Sequence, residues 1–376
     1  DIAFRNQIIS TVSQIQNIYW DLVNAYEDLR VKERSLALAK QLLGDTQKQV
    51  DIGTQAPIEV VRSESEVALR NQELFVSQTN LQLQQLLIKN AITRNLQDAI
   101  LAEATVIPTD TMLLPATEPV IPTSDLIAEA LNHRPELAQS RIDLTNREIN
   151  KRAARNALLP SIDLVASYGT AALAGVPNPL VNSGLNTTGY SDAVSTLFGG
   201  DFPSYSVGFQ VNIPIRNRAA QADQVRSELE FRQAEMRLQQ QQNQIRIEVR
   251  NAQYAVQQNR ARVEAAQAAV RLANQTLDAE QKKYALGAST NYNVLLAQRD
   301  LSVAESNQVV ATTAYEKSRV ELDRVTGSTL NTLGIVIAEA ETGQVQKTPV
   351  APYVTPRPAD QIPSPTAAPA PANPQQ

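Results

Sequence analysis

A mainly α-helical fold, built from two copies of one long helical hairpin with a β-hairpin inserted between them, is what the 376-residue sequence predicts. Three observations carry the prediction: an ungapped internal repeat at an offset of 234 positions, heptad spacing of apolar residues in both copies, and one segment without Lys, Arg or Glu that alternates with a period of two.

The first copy spans 1–102. Ile15, Leu22, Leu29, Leu36, Leu43 and Val50 recur every seven residues, the spacing of a coiled-coil seam, and Ala25 and Ala39 beside them let a neighbouring helix approach closely. Gly53 stands where this helix must stop, in the usual place of a left-handed C-terminal cap. Thr54 through Pro57 supply a turn, and a returning helix follows with Val60, Val67, Leu74, Leu81 and Ile88 in heptad register.

Residues 103–125, with Pro108, Pro115, Pro119 and Pro122, form a helix-poor connector. Helical pattern resumes over 126–159, interrupted at His133-Arg134-Pro135, where the proline biases its predecessor out of helical geometry and Glu136 suits the first turn of a new helix. His133 is read chiefly as punctuation, with a pH-sensitive role as the alternative.

From 160 to 215 the only charges are Asp163, Asp192 and Asp201, and seven of the thirteen glycines lie here. Val207, Phe209, Val211 and Ile213 alternate with small or polar residues, and Ile162, Leu164, Ala166 and Tyr168 do so upstream, as in strands with one greasy face. Each run approaches the roughly 9–11 residues that a β-strand needs to cross a bilayer, and Tyr168, Phe202 and Tyr205 resemble interfacial aromatics. A soluble hairpin with a glycine-rich loop is the alternative. Open strand edges are too costly in lipid, so spanning strands must join others in a closed barrel. The repeat offset places a matching first hairpin before Asp1, and the chain, which lacks an initiator Met, reads as a mature or trimmed product.

The second copy, 216–327, repeats the first. Val249, Val256, Val263, Val270, Leu277 and Tyr284 form its seam, with Ala252, Ala266 and Ala273 beside it. Gln281-Lys282-Lys283-Tyr284-Ala285-Leu286-Gly287 answers Gln47-Lys48-Gln49-Val50-Asp51-Ile52-Gly53. Ser289 through Asn291 provide the turn and cap, and the return begins Val294, Leu301 and then shifts phase toward Val303 and Val310. The proline-free outgoing helix is expected to be on the order of 100 Å long. Residues 328–376, rich in Pro and Ala toward the end, read as a disordered tail.

Composition excludes several classes of function. A net charge of −5 with acids and bases interspersed gives no nucleic-acid footprint. The absence of cysteine rules out disulfides and thiolate metal sites, and His133 as the sole histidine argues against a zinc or histidine-based centre. No run approaches about 18 apolar residues, so any membrane span must be β. No nucleophile with a base, carboxylate pair or phosphate loop stands out, and neither an enzyme nor a cofactor is expected.

The duplicated hairpins with glycine tips, Ala-Leu-Asn-His-Arg-Pro-Glu-Leu at 130–137, Ala157-Leu158-Leu159-Pro160-Ser161 entering a strand, and Tyr284-Ala285-Leu286-Gly287 followed by Val294-Leu295 together resemble the outer-membrane efflux proteins, the TolC-like channel-tunnels, over roughly Asp1 to Gly327. The resemblance implies a homotrimer: a twelve-stranded β-barrel in outer-membrane lipid, to which this chain brings only the second strand pair, continued by an α-helical barrel in the periplasm. It implies a passive exit channel of a tripartite efflux system for small molecules. The tips, Val50, Asp51, Ile52, Gly53, Thr54 and Pro57 with Tyr284, Leu286, Gly287, Ala288 and Ser289, would dock a periplasmic adaptor served by an inner-membrane pump.

Asn293 and Leu296 are uncharged where some members carry acids that constrict the tunnel end. Arg62, Glu64 and Glu66 beside the first tip read either as docking charges or as a solvated face. Two other readings stand beside the efflux channel: an outer-membrane channel for type I protein secretion, and a periplasmic coiled-coil adaptor or scaffold. The duplication and the charge-poor insert count against the scaffold.

Overall fold

Long proline-free heptad runs produce long helices here, and a left-handed glycine, Gly53 or Gly287, ends each outgoing helix at its tip. The computed structural model describes residues 2–93, 104–111, 114–115, 121–176, 180, 189–213, 215–343 and 355–356. Its helices are α1 (Ile2–Asp51), α2 (Ile58–Ile92), α3 (Thr123–His133), α4 (Pro135–Asn156), α5 (Tyr190–Gly199), α6 (Arg218–Ala285), α7 (Asn291–Thr326), α8 (Thr329–Leu333) and α9 (Ile337–Thr342). Its strands are β1 (Asp110–Thr111), β2 (Ser161–Thr170), β3 (Pro203–Asn212) and β4 (Thr355–Pro356). None of the described helices is long and apolar enough to cross a membrane. The chain divides into two compact units, Asp1–Gln139 with Gln239–Gln376, and Ser140–Leu238.

In the first unit α1 is the central rod, packed on α2 along one side and on α7 along another. Leu22 and Ala25 meet Leu81 and Ile88 on the α2 side, while Trp20 and Val23 meet Val320 of α7. Polar rungs cross the second seam: Asn24 Nδ2 donates to Thr313 Oγ1 at 2.8 Å, Lys317 pairs with Asp21 at 2.6 Å and Arg34 with Glu305 at 2.7 Å. The second hairpin closes on Val256 and Val263 against Ala311 and Tyr315. Near the tips Leu42, Leu277, Tyr284, Val294, Leu295 and Leu301 share one cluster, which joins the two copies.

The connector is pinned rather than loose. Val106 packs on the α1–α2 cluster, the Tyr19 hydroxyl donates to Asp110, and Thr123 Oγ1 donates to Gln253 Oε1 at 2.6 Å. β1 pairs antiparallel with β4, Asp110 opposite Pro356 and Thr111 opposite Thr355.

At the α3–α4 junction Arg134 has an extended backbone, as a residue before proline prefers, and α4 starts at Pro135. The buried Arg134 guanidinium pairs with Glu136 at 3.2 Å and Glu248 at 2.5 Å. Gly327 closes α7 with φ +75°, and a Cβ there would lie 3.3 Å from the His133 carbonyl carbon. His133 therefore punctuates the chain, and Gly327 is required both for its conformation and for the close approach.

One carboxyl near this junction is poised to titrate. Burial pushes Asp323 up to about 6; Arg319 and the Ser328 hydroxyl oppose the rise, and Glu129 of α3 adds to it. A folded pKa above the unfolded value means that stability is gained as pH falls from about 6 toward 4 and that the ionised group costs stability at neutral pH. Asp323→Asn is expected to stabilise the protein by roughly 1–2 kcal/mol at pH 7.5 and by almost nothing at pH 4, read from thermal unfolding. An equal gain at both values would contradict this account.

In the second unit β2 and β3 pair antiparallel from Ser161 opposite Asn212 to Thr170 opposite Pro203. The register stacks Ile162 with Val211, Leu164 with Phe209, Ala166 with Val207 and Tyr168 with Tyr205 on one face. Asp163 with Gln210, Val165 with Gly208 and Ser167 with Ser206 occupy the other. Asn217 ties the neck: its Oδ1 accepts from the Ala220 N–H at 3.3 Å, capping α6, and its Nδ2 donates to Ala157 O at 3.2 Å. Arg147 bonds Glu230 at 2.9 Å, and Lys151 lies 4.8 Å from the Phe231 ring centroid, joining α4 to α6 within this unit.

Three expectations need correction, and the insert loop holds an element that sequence reading leaves unassigned. Ile213 lies one residue past β3, because the ladder ends at Asn212. The insert loop carries α5, delimited by Gly189 and the left-handed cap Gly200. Residues 329–333 and 337–342 are helical rather than tail, since Thr329 and Leu330 are buried and the left-handed Gly334 and Gly343 end each helix. Beyond 343, apart from the β4 residues, the expected disordered tail falls outside the described residues. Finally, the α7 seam does not move to Val303 and Val310, which are exposed; it continues through Ser302, Glu305 and Thr312, which are buried.

Candidate functional site: the paired helical tips

Both outgoing helices end in the same motif. Gly53 N–H donates to Val50 O at 2.9 Å and Thr54 N–H to Gln49 O at 2.9 Å; in the second copy Gly287 N–H donates to Tyr284 O at 3.0 Å and Ala288 N–H to Lys283 O at 2.8 Å. These are Schellman caps, and they need the left-handed φ of +81° at Gly53 and +73° at Gly287. No atom lies within 4 Å of where a Cβ would sit on either, so conformation alone demands glycine, at about 1–2 kcal/mol for most replacements.

The turns that follow differ. Thr290 N-caps α7, its hydroxyl accepting from the Asn293 N–H at 3.4 Å. In the first copy Pro57 holds the N-cap position at φ −56° without a side-chain bond, and Thr54 Oγ1 instead donates back to Gln49 O at 2.8 Å. Ile52 and Leu286 project into solvent, Asp51 is exposed, and Val50 is half-buried. Ser289 Oγ donates to Glu280 at 2.7 Å and accepts from Asn293 Nδ2 at 3.3 Å.

The two tips are joined by polar contacts. Gln55 Nε2 donates to the Tyr284 hydroxyl at 3.1 Å, and Asn291 Nδ2 donates to Ser63 Oγ at 3.0 Å. Farther along, Glu66 of α2 is only 5 % exposed and receives Arg70 Nε at 2.9 Å together with Arg299 Nε at 3.2 Å and Nη2 at 2.5 Å. Burial works against the Glu66 carboxylate, but the two guanidiniums more than offset it and hold it below the usual carboxylate range. Glu66 thus points inward, unlike the exposed Arg62 and Glu64 that the sequence groups with it. Arg70 also reaches Glu73 at 3.0 Å, and Lys32 of α1 reaches Glu73 at 3.4 Å.

Above this joint a groove of about 430 Å³ lies between α2 and α7, lined by Ile58, Val61, Tyr292 and Leu296 with Glu66 and Arg299 among its polar groups. Leu296 is exposed at its edge, and Asn293 is exposed toward the tip. Gln55, Ser63, Arg70, Asn291 and Arg299 go unmarked as a set by sequence patterning, because no spacing rule pairs residues some 230 positions apart. The available signal was the repeat itself, which aligns Pro57 with Asn291 and so marks where the copies have diverged.

Duplicated coiled-coil hairpins with glycine tips, together with one strand pair that is apolar on a single face, define a channel-tunnel type of protein. Residues 126–328 match the outer membrane efflux protein family. The chain belongs to that family, whose members are outer-membrane channels rather than enzymes, with a helical tunnel in the periplasm.

Solved structures agree on the fold. A structure of CusC is 20% identical with a TM-score of 0.67, over 87% of this chain and 70% of that one. The CmeC outer membrane channel of Campylobacter jejuni is 18% identical at 0.66, over 92% and 69%. The outer membrane protein VceC of Vibrio cholerae is 17% identical at 0.65, over 85% and 70%. No curated protein sequence matches the chain.

Proposed function

We propose that three copies of this chain form the passive exit duct of a tripartite efflux system, carrying small molecules outward and receiving them through tips docked to a periplasmic adaptor and its inner-membrane pump. The observation that carries the reading is a pair of uncovered apolar stripes. Leu69, Val76 and Leu83 on α2 and Leu296, Val303 and Val310 on α7 are all exposed, each set spaced by seven. Val303 and Val310 stand 234 positions beyond Leu69 and Val76, so both copies leave the same face open. A face repeated in this way is satisfied by neighbouring copies around a ring, and a ring of antiparallel rods encloses water.

The tips suit docking: Ile52 and Leu286 are free to be covered, and the glycine caps hold both in the same geometry. The Glu66–Arg299 joint ties the return helices together and is placed to resist widening. Electron microscopy of detergent-solubilised protein is expected to reveal a hollow three-fold particle on the order of 100 Å or more in length. A compact monomer that needs no amphiphile would end the proposal.

A further inference from the structure

The loop between the membrane strands contains a helix whose apolar side is largely left open by the described residues, with Ala193 and Val194 half-buried and the larger side chains exposed. In α5, at 100° per residue, Ala193, Leu197, Tyr190, Val194 and Phe198 fall within an arc of about 140°, while Ser191, Asp192, Ser195 and Thr196 fill the rest. Tyr190 and Phe198 are 83 % and 86 % exposed, and Leu197 is exposed beside them. A ten-residue helix with this division does not hold its place by its own hydrogen bonds.

Its position is fixed by the hairpin. α5 lies at the strand ends remote from α4 and α6, and Gly200, left-handed at φ +74°, turns the chain so that β3 starts at Pro203. Ala171 N–H donates to Phe202 O at 3.3 Å, extending the ladder to the turn. A Cβ on Gly200 would lie 3.9 Å from the Tyr168 hydroxyl. Tyr168 closes the apolar face of the hairpin opposite Tyr205, so the end of α5 abuts the rim of that face.

We infer that α5 is a membrane-surface helix, seated with its apolar arc in the headgroup–acyl boundary of the outer leaflet beside the barrel rim. The occupant of the arc is lipid because the lipid-facing rows of β2 and β3 run without a break through Tyr168 and Tyr205 to the turn where the helix ends. The segment from 156 to 215 has no Lys or Arg, so apolar insertion rather than attraction to anionic headgroups seats the helix. Such a helix would brace the outer end of the hairpin. The inference rests on the outer-membrane channel reading, and its test separates the two.

The chain has no cysteine, so single substitutions accept a nitroxide label without background. Full-length Phe198→Cys, Ser195→Cys and Leu164→Cys are labelled and reconstituted in liposomes of phosphatidylethanolamine and phosphatidylglycerol. Collision of each label with oxygen and with a water-soluble nickel chelate is then measured. The label at 198 is expected to meet oxygen several-fold more than nickel, as at 164, and the label at 195 the reverse. A label at 198 as open to nickel as that at 195 overturns the inference, since the helix then stands in water. A label at 198 shielded from both reagents overturns it too, with protein as the cover. If 164 itself favours nickel, the strands are not in lipid and the channel reading falls instead.

Discussion

Charging the outer stripes, Val76→Asp together with Val310→Asp, is expected to prevent the proposed trimer from forming, leaving folded monomers in detergent, and to abolish efflux. Both residues are exposed in the single chain, so the substitutions touch none of its own core. In a closed ring each would be buried against a neighbour, where an unpaired carboxylate costs several kcal/mol. Each copy carries two, and a three-fold ring multiplies the cost, which exceeds what burial of the remaining stripe residues returns at about 1–3 kcal/mol each. Asn71→Asp, an exposed site off the stripe, is the control and leaves the trimer intact. The measurements are size-exclusion chromatography with light scattering, and drug susceptibility of cells making each variant. A trimeric double variant with full activity would place the subunit contacts elsewhere and undo the ring argument.

How far the sequence discloses this architecture depends on the neighbours of each helix. α6 is the clear case: Val249, Val256, Val263, Leu277 and Tyr284 are buried as their spacing predicts. α1 is less clear. Leu22 and Leu36 are buried, but Leu29 and Leu43 only partly, because α1 faces two partners and also buries Val23, Val31 and Leu42 off the heptad line. α2 is the least clear, since two apolar stripes run along it, and spacing cannot tell which is filled within the chain. The stripe that faces inward near the tip is largely polar, with Ser63, Glu66, Arg70 and Ser77 buried, and hydrophobic periodicity cannot register it.

The site divides along the same line. Gly53 and Gly287 were legible because a left-handed cap is a local, single-residue demand. Strand alternation was legible for a similar reason, and the register then adds the four apolar cross-strand rows. The Glu66 joint was not legible, because it depends on a contact between copies 233 positions apart that only the folded chain creates. α5 was hidden by its glycines and its shortness, although Ala193, Val194, Leu197 and Phe198 repeat at helical spacing between Gly189 and Gly200.

Neutralising the joint carries the second large effect. Glu66→Gln leaves Arg70, whose side chain is 7 % exposed, with only Glu73 beyond the amide, while Arg299, 51 % exposed, can turn to water. With Glu73 still paired to Arg70, the loss is about 1–3 kcal/mol, seen as a lower unfolding midpoint. Freed from Arg299, α2 and α7 are expected to part more readily, raising single-channel conductance in planar bilayers. Arg299→Ala separates the two consequences: Glu66 keeps Arg70, so conductance rises while the midpoint falls little. The pH dependence follows from the lowered pKa of Glu66. The joint is at full strength above the ordinary carboxylate pKa of about 4.3 and is lost only as pH falls through the lower folded value, so the wild-type channel stays as closed at about pH 5 as at about pH 7 and opens only below the ordinary carboxylate range. If both variants conduct as the wild type does, the joint is structural and the resistance to widening lies in the Gln55–Tyr284 and Asn291–Ser63 contacts nearer the tips.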